Sequence, residues 1–201
     1  MGYGVLKERQ MTLEDTPQYN LVFSFSLIVI IAVVIMVGIL GVRFYWAEVV
    51  YAKALKSPDY KIAESLLKKS SYLRQNSDVY HIALAQIYLG QANQEARKQK
   101  PDVQGVASLM ALAVNEARFA AQLSPNAIGI WENLATMYEN TSVLVPEAGG
   151  WAIKSLDNAV ELEPTNAYLY WRLANNYILA KNYIKAIENF KKAIGLKTDY
   201  L

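Results

Sequence analysis

Small and large apolar residues recur in the second half of this chain in one fixed order. Leu134, Ala135 and Tyr138 are followed by Ala152, Leu156, Ala159, Leu162 and Pro164. Leu173, Ala174 and Tyr177 are followed by Ala186, Phe190, Ala193 and Leu196. Earlier, Leu84, Ala85 and Tyr88 are followed by Ala113, Ala117, Ala120, Leu123 and Pro125. Residues three, four and seven apart share one face of an α-helix. Their return in the same order predicts stacked copies of one helical hairpin, because a single hairpin cannot bury its own apolar face. An ordinary bundle would not keep its helix faces in a common register.

Each position in the pattern has a physical task. In the first helix of each unit, helix A, a large residue comes first: His81, Trp131 or Tyr170. A leucine follows three residues on, then an alanine that lets the facing helix approach closely. Tyr88, Tyr138 or Tyr177 fills the groove one turn later. Pro125 and Pro164 come just after the second helix, helix B, and stop it. The arrangement resembles the tetratricopeptide repeat (TPR), whose period is about 34 residues. The resemblance implies an all-α fold, an α-α superhelix of helical hairpins behind one transmembrane helix. Proteins of this kind bind other proteins far more often than they catalyse a reaction.

The units are expected at 43–76, 78–125, 128–164 and 167–200. The last matches the repeat without a gap, with Thr198 where proline is usual. The unit before it carries an insertion over 143–150, in which Pro146, Gly149 and Gly150 read as a turn. The unit at 78–125 has a longer insertion through Gln91 to Lys98, which has no helix breaker before Pro101. Helix A should therefore run on by about two or three turns. In the degenerate unit at 43–76, Ala63, Leu67, Ser70 and Leu73 keep the helix-B register, while helix A, through Trp46 and Val50, fits poorly.

Residues 21–42 carry no charge, and their polar side chains are Ser24 and Ser26. At about 1.5 Å per residue this run covers roughly 33 Å, enough to cross a hydrocarbon core of about 30 Å. Its Leu, Ile, Val and Phe content favours insertion by about 5–10 kcal/mol. Tyr19 before it and Phe44, Tyr45 and Trp46 after it match an interfacial aromatic belt. The run is too long for a signal core and lacks a small-x-small cleavage site, so it reads as a lasting anchor. Gly38 and Gly41 are not at the spacing of the helix-dimer motif. Nothing breaks a helix between Val42 and Lys56, so the span should continue into the first unit as a stiff stalk, with Ser57-Pro58-Asp59 as the turn. Residues 1–20 form a short polar tail. Its Lys7 and Arg9 nearly balance Arg43, Lys53 and Lys56 on the other flank. A short tail before one uncleaved span places the repeats on the extracytoplasmic face of a bacterial-type plasma membrane, single-pass.

Composition excludes several classes of function. There is no cysteine, so disulfides and thiolate metal sites are absent. The single histidine, His81, stands at a helix-A core position and reads as a packed substitute for an aromatic. It cannot build a zinc site alone. No phosphate-binding glycine loop and no G-x-S-x-G occurs. Net charge is +2 without a basic stripe, which argues against nucleic acid. The chain is read as a non-enzyme without cofactors.

In the repeat family the inner groove is lined by helix A. Carried onto this chain, the resemblance implies a peptide- or partner-binding groove of Gln86, Asn133, Thr136, Tyr168, Trp171, Arg172 and Asn175. Trp171 beside Arg172 and Asn175 has the make-up of a binding hot spot. Glu139 also falls on the groove and is expected to matter little for stability, whereas Trp131 is expected to be a buried framework residue. Some members clamp a terminal carboxylate, but Ile82, Gln86 and Tyr168 supply no lysine for it.

A second resemblance comes from I-W-E-N-L-A-T-M-Y-E-N at 130–140 and V-P-E-A at 145–148. A span followed at once by degenerate, insertion-bearing repeats with these motifs resembles the C-terminal part of bacterial O-antigen ligase/polymerase-like membrane proteins. The many spans and catalytic loops of such enzymes are missing. That resemblance implies an accessory or detached segment of a cell-envelope glycan ligase without glycosyl transfer of its own. The leading expectation is a membrane-anchored scaffold or adaptor for a protein or peptide partner in a cell-envelope complex. A third is a self-assembling structural protein: the last helix B closes without a polar capping helix, so its apolar strip should associate with a partner or as a homo-oligomer.

Overall fold

The computed structural model describes residues 17–198. Most of the polar tail expected at 1–20, with the Lys7 and Arg9 used to orient the span, lies outside the described residues. So does the end of the chain at 199–201. Two compact units are present, Met1–Tyr45 and Trp46–Leu201. Among the described residues the secondary structure is helical throughout, in eight helices.

The long helix α1 spans Pro17–Leu55. It is the one described helix long and apolar enough to cross a membrane: its most apolar window has a mean hydropathy of 3.1, and none of it is buried. A serine hydroxyl in such a stretch needs an internal acceptor. Ser26 Oγ meets this by donating to the carbonyl of Val22 at 2.8 Å.

The second unit contains the end of α1 and helices α2 (Tyr60–Leu73), α3 (Asp78–Ala96), α4 (Val103–Leu123), α5 (Ile128–Thr141), α6 (Ala148–Leu162), α7 (Ala167–Leu179) and α8 (Tyr183–Thr198). Helices α3 and α4, α5 and α6, and α7 and α8 pack as antiparallel hairpins, and each hairpin packs on the next through α4 with α5 and α6 with α7. Short polar side chains start several helices. Asp59 accepts from the Lys61 and Ile62 amides at the head of α2, and Asn166 accepts from the Tyr168 amide at the head of α7. These satisfy backbone donors that a helix cannot satisfy within itself.

The core is built largely from alanine. Ala113, Ala117 and Ala120 of α4 and Ala152 and Ala159 of α6 are buried, as are Ala85, Ala135 and Ala174 on the facing helices. In α2 the buried face is Ala63, Leu67 and Ser70. The poorly fitting helix A of this hairpin uses the same device, since Ala47, Val50 and Ala54 bury the end of α1. Glu48 of that segment accepts from Tyr80 Oη at 2.8 Å and from Arg74 Nη1 at 3.2 Å. Burial first, then the Glu48 carboxylate, push the Tyr80 phenol up to about 12, so it remains a donor.

Three expectations need correction. Trp131 is only half-buried, and its Nε1 donates to the Pro125 carbonyl at 2.7 Å. The more deeply buried member of each A helix is the residue just before it: Tyr80, Ile130 and Leu169. Gly149 and Gly150 do not form a turn. They lie in the first turn of α6, and the chain reverses over 142–147. The long insertion lengthens both helices of its hairpin, not helix A alone. Helix α3 is 19 residues and α4 is 21, against 14 for α5, so α3 gains only about one and a half turns. The added turns pack on each other through Ala92, Val106 and Met110, a contact made possible when Asp102 caps the Gly105 amide and starts α4 early.

Candidate partner-binding groove

The A helices α3, α5 and α7 lie side by side, and polar side chains join them across their exposed faces. Gln86 Nε2 on α3 donates to Asn133 Oδ1 on α5 at 3.1 Å. Asn133 Nδ2 in turn donates to the Gly129 carbonyl. Between α5 and α7 the link is Arg172, which is 8% exposed. Its Nη2 donates to Glu139 Oε2 at 2.8 Å and to Thr136 Oγ1 at 2.9 Å, and Nη1 reaches the Glu132 carbonyl at 3.3 Å. Asn176 completes the group by donating to Glu139 Oε1 at 2.8 Å and to the Arg172 carbonyl at 3.0 Å.

This arrangement changes the roles of two residues. Arg172 does not reach into the groove as a free cation; it is buried and paired with Glu139, and it ties α7 to α5. Glu139 is not a neutral groove residue, because its loss strands a buried guanidinium. Glu139 and Asn176 were missed as structural partners. For Glu139 the sequence carried a signal, its charge opposite to that of Arg172 on the next A helix; for the uncharged Asn176 it carried none.

Above this polar floor lies an open concavity of roughly 460 Å³, bounded by Thr136, Glu139, Tyr168, Trp171, Asn175 and Leu179. Tyr168 and Trp171, at 55% and 49% exposure, stack on one another with ring centroids 5.6 Å apart and planes 18° apart. Asn175 Nδ2 donates to the Trp171 carbonyl at 2.8 Å. Of the seven residues assigned to the groove, Thr136, Tyr168, Trp171, Arg172 and Asn175 converge on this concavity. Gln86 and Asn133 lie further along, paired with each other. Two exposed, mutually stacked aromatic rings over a rigid hydrogen-bonded floor can hold an apolar side chain while nearby amides orient a backbone.

His81 lies away from this surface and holds the α3–α4 hairpin together. Its Nδ1 faces Glu116 Oε2 at 2.6 Å and its Nε2 faces the Gln75 carbonyl at 3.2 Å, while its ring meets Phe119 edge-on at 4.5 Å. Both neighbours are acceptors, so the doubly protonated ring satisfies them best. Burial opposes that charge, but the bonds to Glu116 and Gln75 and the Glu116 and Asp78 charges outweigh it and raise the pKa above 6.5. Among the described residues no group of three or more His, Asp or Glu side chains is placed to hold a metal ion.

No protein-family profile matches the chain, and no curated protein matches it. Solved structures do. MamA from MSR-1 superposes with a TM-score of 0.58 at 18% identity, covering 77% of this chain and 79% of that one. Another crystal structure of MamA gives 0.60 at 15%, covering 77% and 80%. A thermophilic TPR protein of Thermus thermophilus gives 0.53 at 16%, covering 79% and 77%. At these identities the likeness concerns the fold: the second unit is an array of TPR-type helical hairpins.

Proposed function

We propose that this chain is a membrane-anchored scaffold that binds a segment of a partner protein in the groove between α5 and α7. The observation that carries the reading is the stacked Tyr168–Trp171 pair, exposed above a floor whose charges are already neutralised. A solvent-facing tryptophan of this kind is costly to leave bare and adds little to the hairpin it stands on. The pre-formed floor means that little side-chain freedom is lost when a partner docks. The apolar part of α1 supports the anchor, and its aromatic flank of Phe44, Tyr45 and Trp46 supports a bilayer boundary there. The same reading takes the repeats to stand on the extracytoplasmic face of a plasma membrane, within a cell-envelope complex.

The test is site-specific photo-crosslinking in native membranes from a benzoylphenylalanine placed at Tyr168. A discrete protein adduct that disappears when Trp171→Ala is added is the expected result. Adducts to lipid alone, or a protein adduct indifferent to Trp171→Ala, would contradict the reading.

A second mode, association of two copies, is favoured by the outer face of α8. Ile184, Ile187 and Ile194 lie along it at 82%, 56% and 64% exposure. Sedimentation of the detergent-solubilised chain should show a dimer that dissociates in the Ile184→Glu/Ile187→Glu variant. A monomer at all concentrations removes this mode and leaves the groove reading intact.

A further inference from the structure

A second concave surface lies on the other side of the array, where helices α4 and α6 flank α5. It was not visible from the repeat pattern, which directs attention to the A helices. Trp131, Leu134 and Tyr138 of α5 form its floor, and Ala121 and Pro125 close one wall of a cleft of roughly 270 Å³. Trp151 of α6, 54% exposed, forms the other wall and stacks on Tyr138 with centroids 6.4 Å apart. On the far side of the Tyr138–Trp151 pair a second hollow of roughly 280 Å³ continues the cleft, lined by Val114, Val145 and Ala148. Its wall comes from the insertion over 142–147, which gives this hairpin a feature that its neighbours lack.

The charges at the cleft are ordered. Arg118 and Lys154 border the first hollow, and no carboxylate lines it. Neither cation has a carboxylate partner among the described residues. Lys154 Nζ instead lies 5.5 Å from the Trp151 ring centre. Arg118 stands close enough to the Tyr138 phenol to offset part of the upward push that burial gives it. Of the nearby carboxylates, Glu116 is engaged with His81, Glu132 and Glu139 are engaged with Arg172, and the opposite charge that Asp157 feels is Lys185. Glu147 lines the second hollow and not the first. One end of the cleft is therefore aromatic and cationic, and the other is apolar with a single carboxylate at its edge.

We propose that this cleft is a second docking site, for an acidic peptide segment that places an apolar side chain on each side of Tyr138–Trp151 and its carboxylates against Arg118 and Lys154. Two hollows separated by a stacked aromatic pair suit two anchors on one segment. Two unpaired cations beside exposed aromatic surface favour an anion that arrives with an apolar neighbour. The charge order fixes the polarity of the segment, with its acidic part at Arg118 and Lys154. The site is distinct from the α5–α7 groove, so the chain can hold two partners, or two segments of one partner, on opposite faces of α5.

The experiment selects displayed random short peptides on the full chain in detergent micelles. A synthetic copy of the most enriched peptide is then titrated against variants. Trp151 is exposed and Arg118 and Lys154 are on the surface, so their variants are expected to keep the wild-type circular dichroism and melting point, which are checked first. The enriched peptides should carry Asp or Glu beside Leu, Phe or Trp. Affinity should fall at least about tenfold in Trp151→Ala and in Arg118→Glu/Lys154→Glu, and should weaken as salt rises. Trp171→Ala should leave it unchanged. The proposal is overturned if no peptide is enriched, if the enriched peptides lack acidic residues, or if their binding ignores Trp151→Ala and the charge reversal. Vesicles of anionic lipid serve as a parallel probe. Vesicle binding that depends on Arg118 and Lys154, without any selected peptide, would assign the cleft to a lipid headgroup instead and likewise overturn it.

Discussion

Arg172 and His81 show how the same side-chain chemistry serves structure in one place and leaves function to its neighbours. Arg172 is buried among Glu139, Thr136 and the Glu132 carbonyl, so Glu139→Ala should destabilise the second unit by about 1–3 kcal/mol, the cost of an unsatisfied buried charged donor. The double variant Glu139→Leu/Arg172→Met should lose less than the sum of the single changes, with a coupling of about 0.5–3 kcal/mol by urea denaturation. Additive losses would mean that the pair does not act as a unit. His81 makes a pH-dependent contribution. Its folded pKa lies above 6.5, so its stabilisation is fully present below pH 6.5 and is lost as the pH rises through the folded value. The urea midpoint should therefore fall on going from mildly acidic to mildly alkaline solution, and His81→Gln should flatten that slope. The sequence showed that Arg172 was special but not why. A residue's position on a repeat tells which face it shares, while Glu139, which neutralises Arg172, and Asn176, which donates to Glu139, come from side-chain geometry between two helices.

At the scale of elements, hairpin ends carry information that apolar periodicity does not. Between α7 and α8 the chain turns through Lys181 at φ 59°. The Asn182 amide reaches back to the Tyr177 carbonyl at 2.8 Å and the Lys181 amide to the Ile178 carbonyl at 2.9 Å. This pair of bonds is the Schellman closure, in which the left-handed residue is usually glycine. Lys181→Gly should therefore raise stability by about 1 kcal/mol, seen as a higher melting point in a fragment beginning at Arg43. An unchanged or lower melting point would show that the lysine side chain has a compensating contact. The buried alanine faces and the proline stops were legible, because helix period and chain reversal are local properties. The insertions were legible in place but not in form. Gly149 and Gly150 looked like a turn, yet the reversal was already complete at 142–147 and the glycines could enter α6. The segment before Pro101 looked like an extension of one helix, but packing of Ala92 on Val106 and Met110 favours two lengthened helices over a single unsupported one.

For the whole molecule, the apolar part of α1 and the hairpin array divide the chain into the proposed anchor and the proposed binding surfaces. If the span holds the chain in a bilayer, one arginine at mid-span costs about 2.5–3.5 kcal/mol against an insertion of about 5–10 kcal/mol. Ile30→Arg alone should stay in the membrane fraction, whereas Ile30→Arg/Val34→Arg should release much of the protein. Release of the unmodified chain by alkaline carbonate would remove the anchor. The array was legible as a fold because its register recurs. Its surfaces were only half legible, since the A-helix groove follows from repeat position and the α4–α6 cleft depends on the shape of one insertion.

The measurement closest to the central claim is the affinity of the Tyr168-crosslinked partner for the wild type and for Trp171→Ala, by calorimetry, with the melting point of each recorded alongside. Affinity should fall at least about tenfold while the melting point hardly moves, because Trp171 is half-exposed and lies on the groove and not within the hairpin core. Unchanged affinity, or a loss of affinity that only tracks a loss of stability, would contradict it.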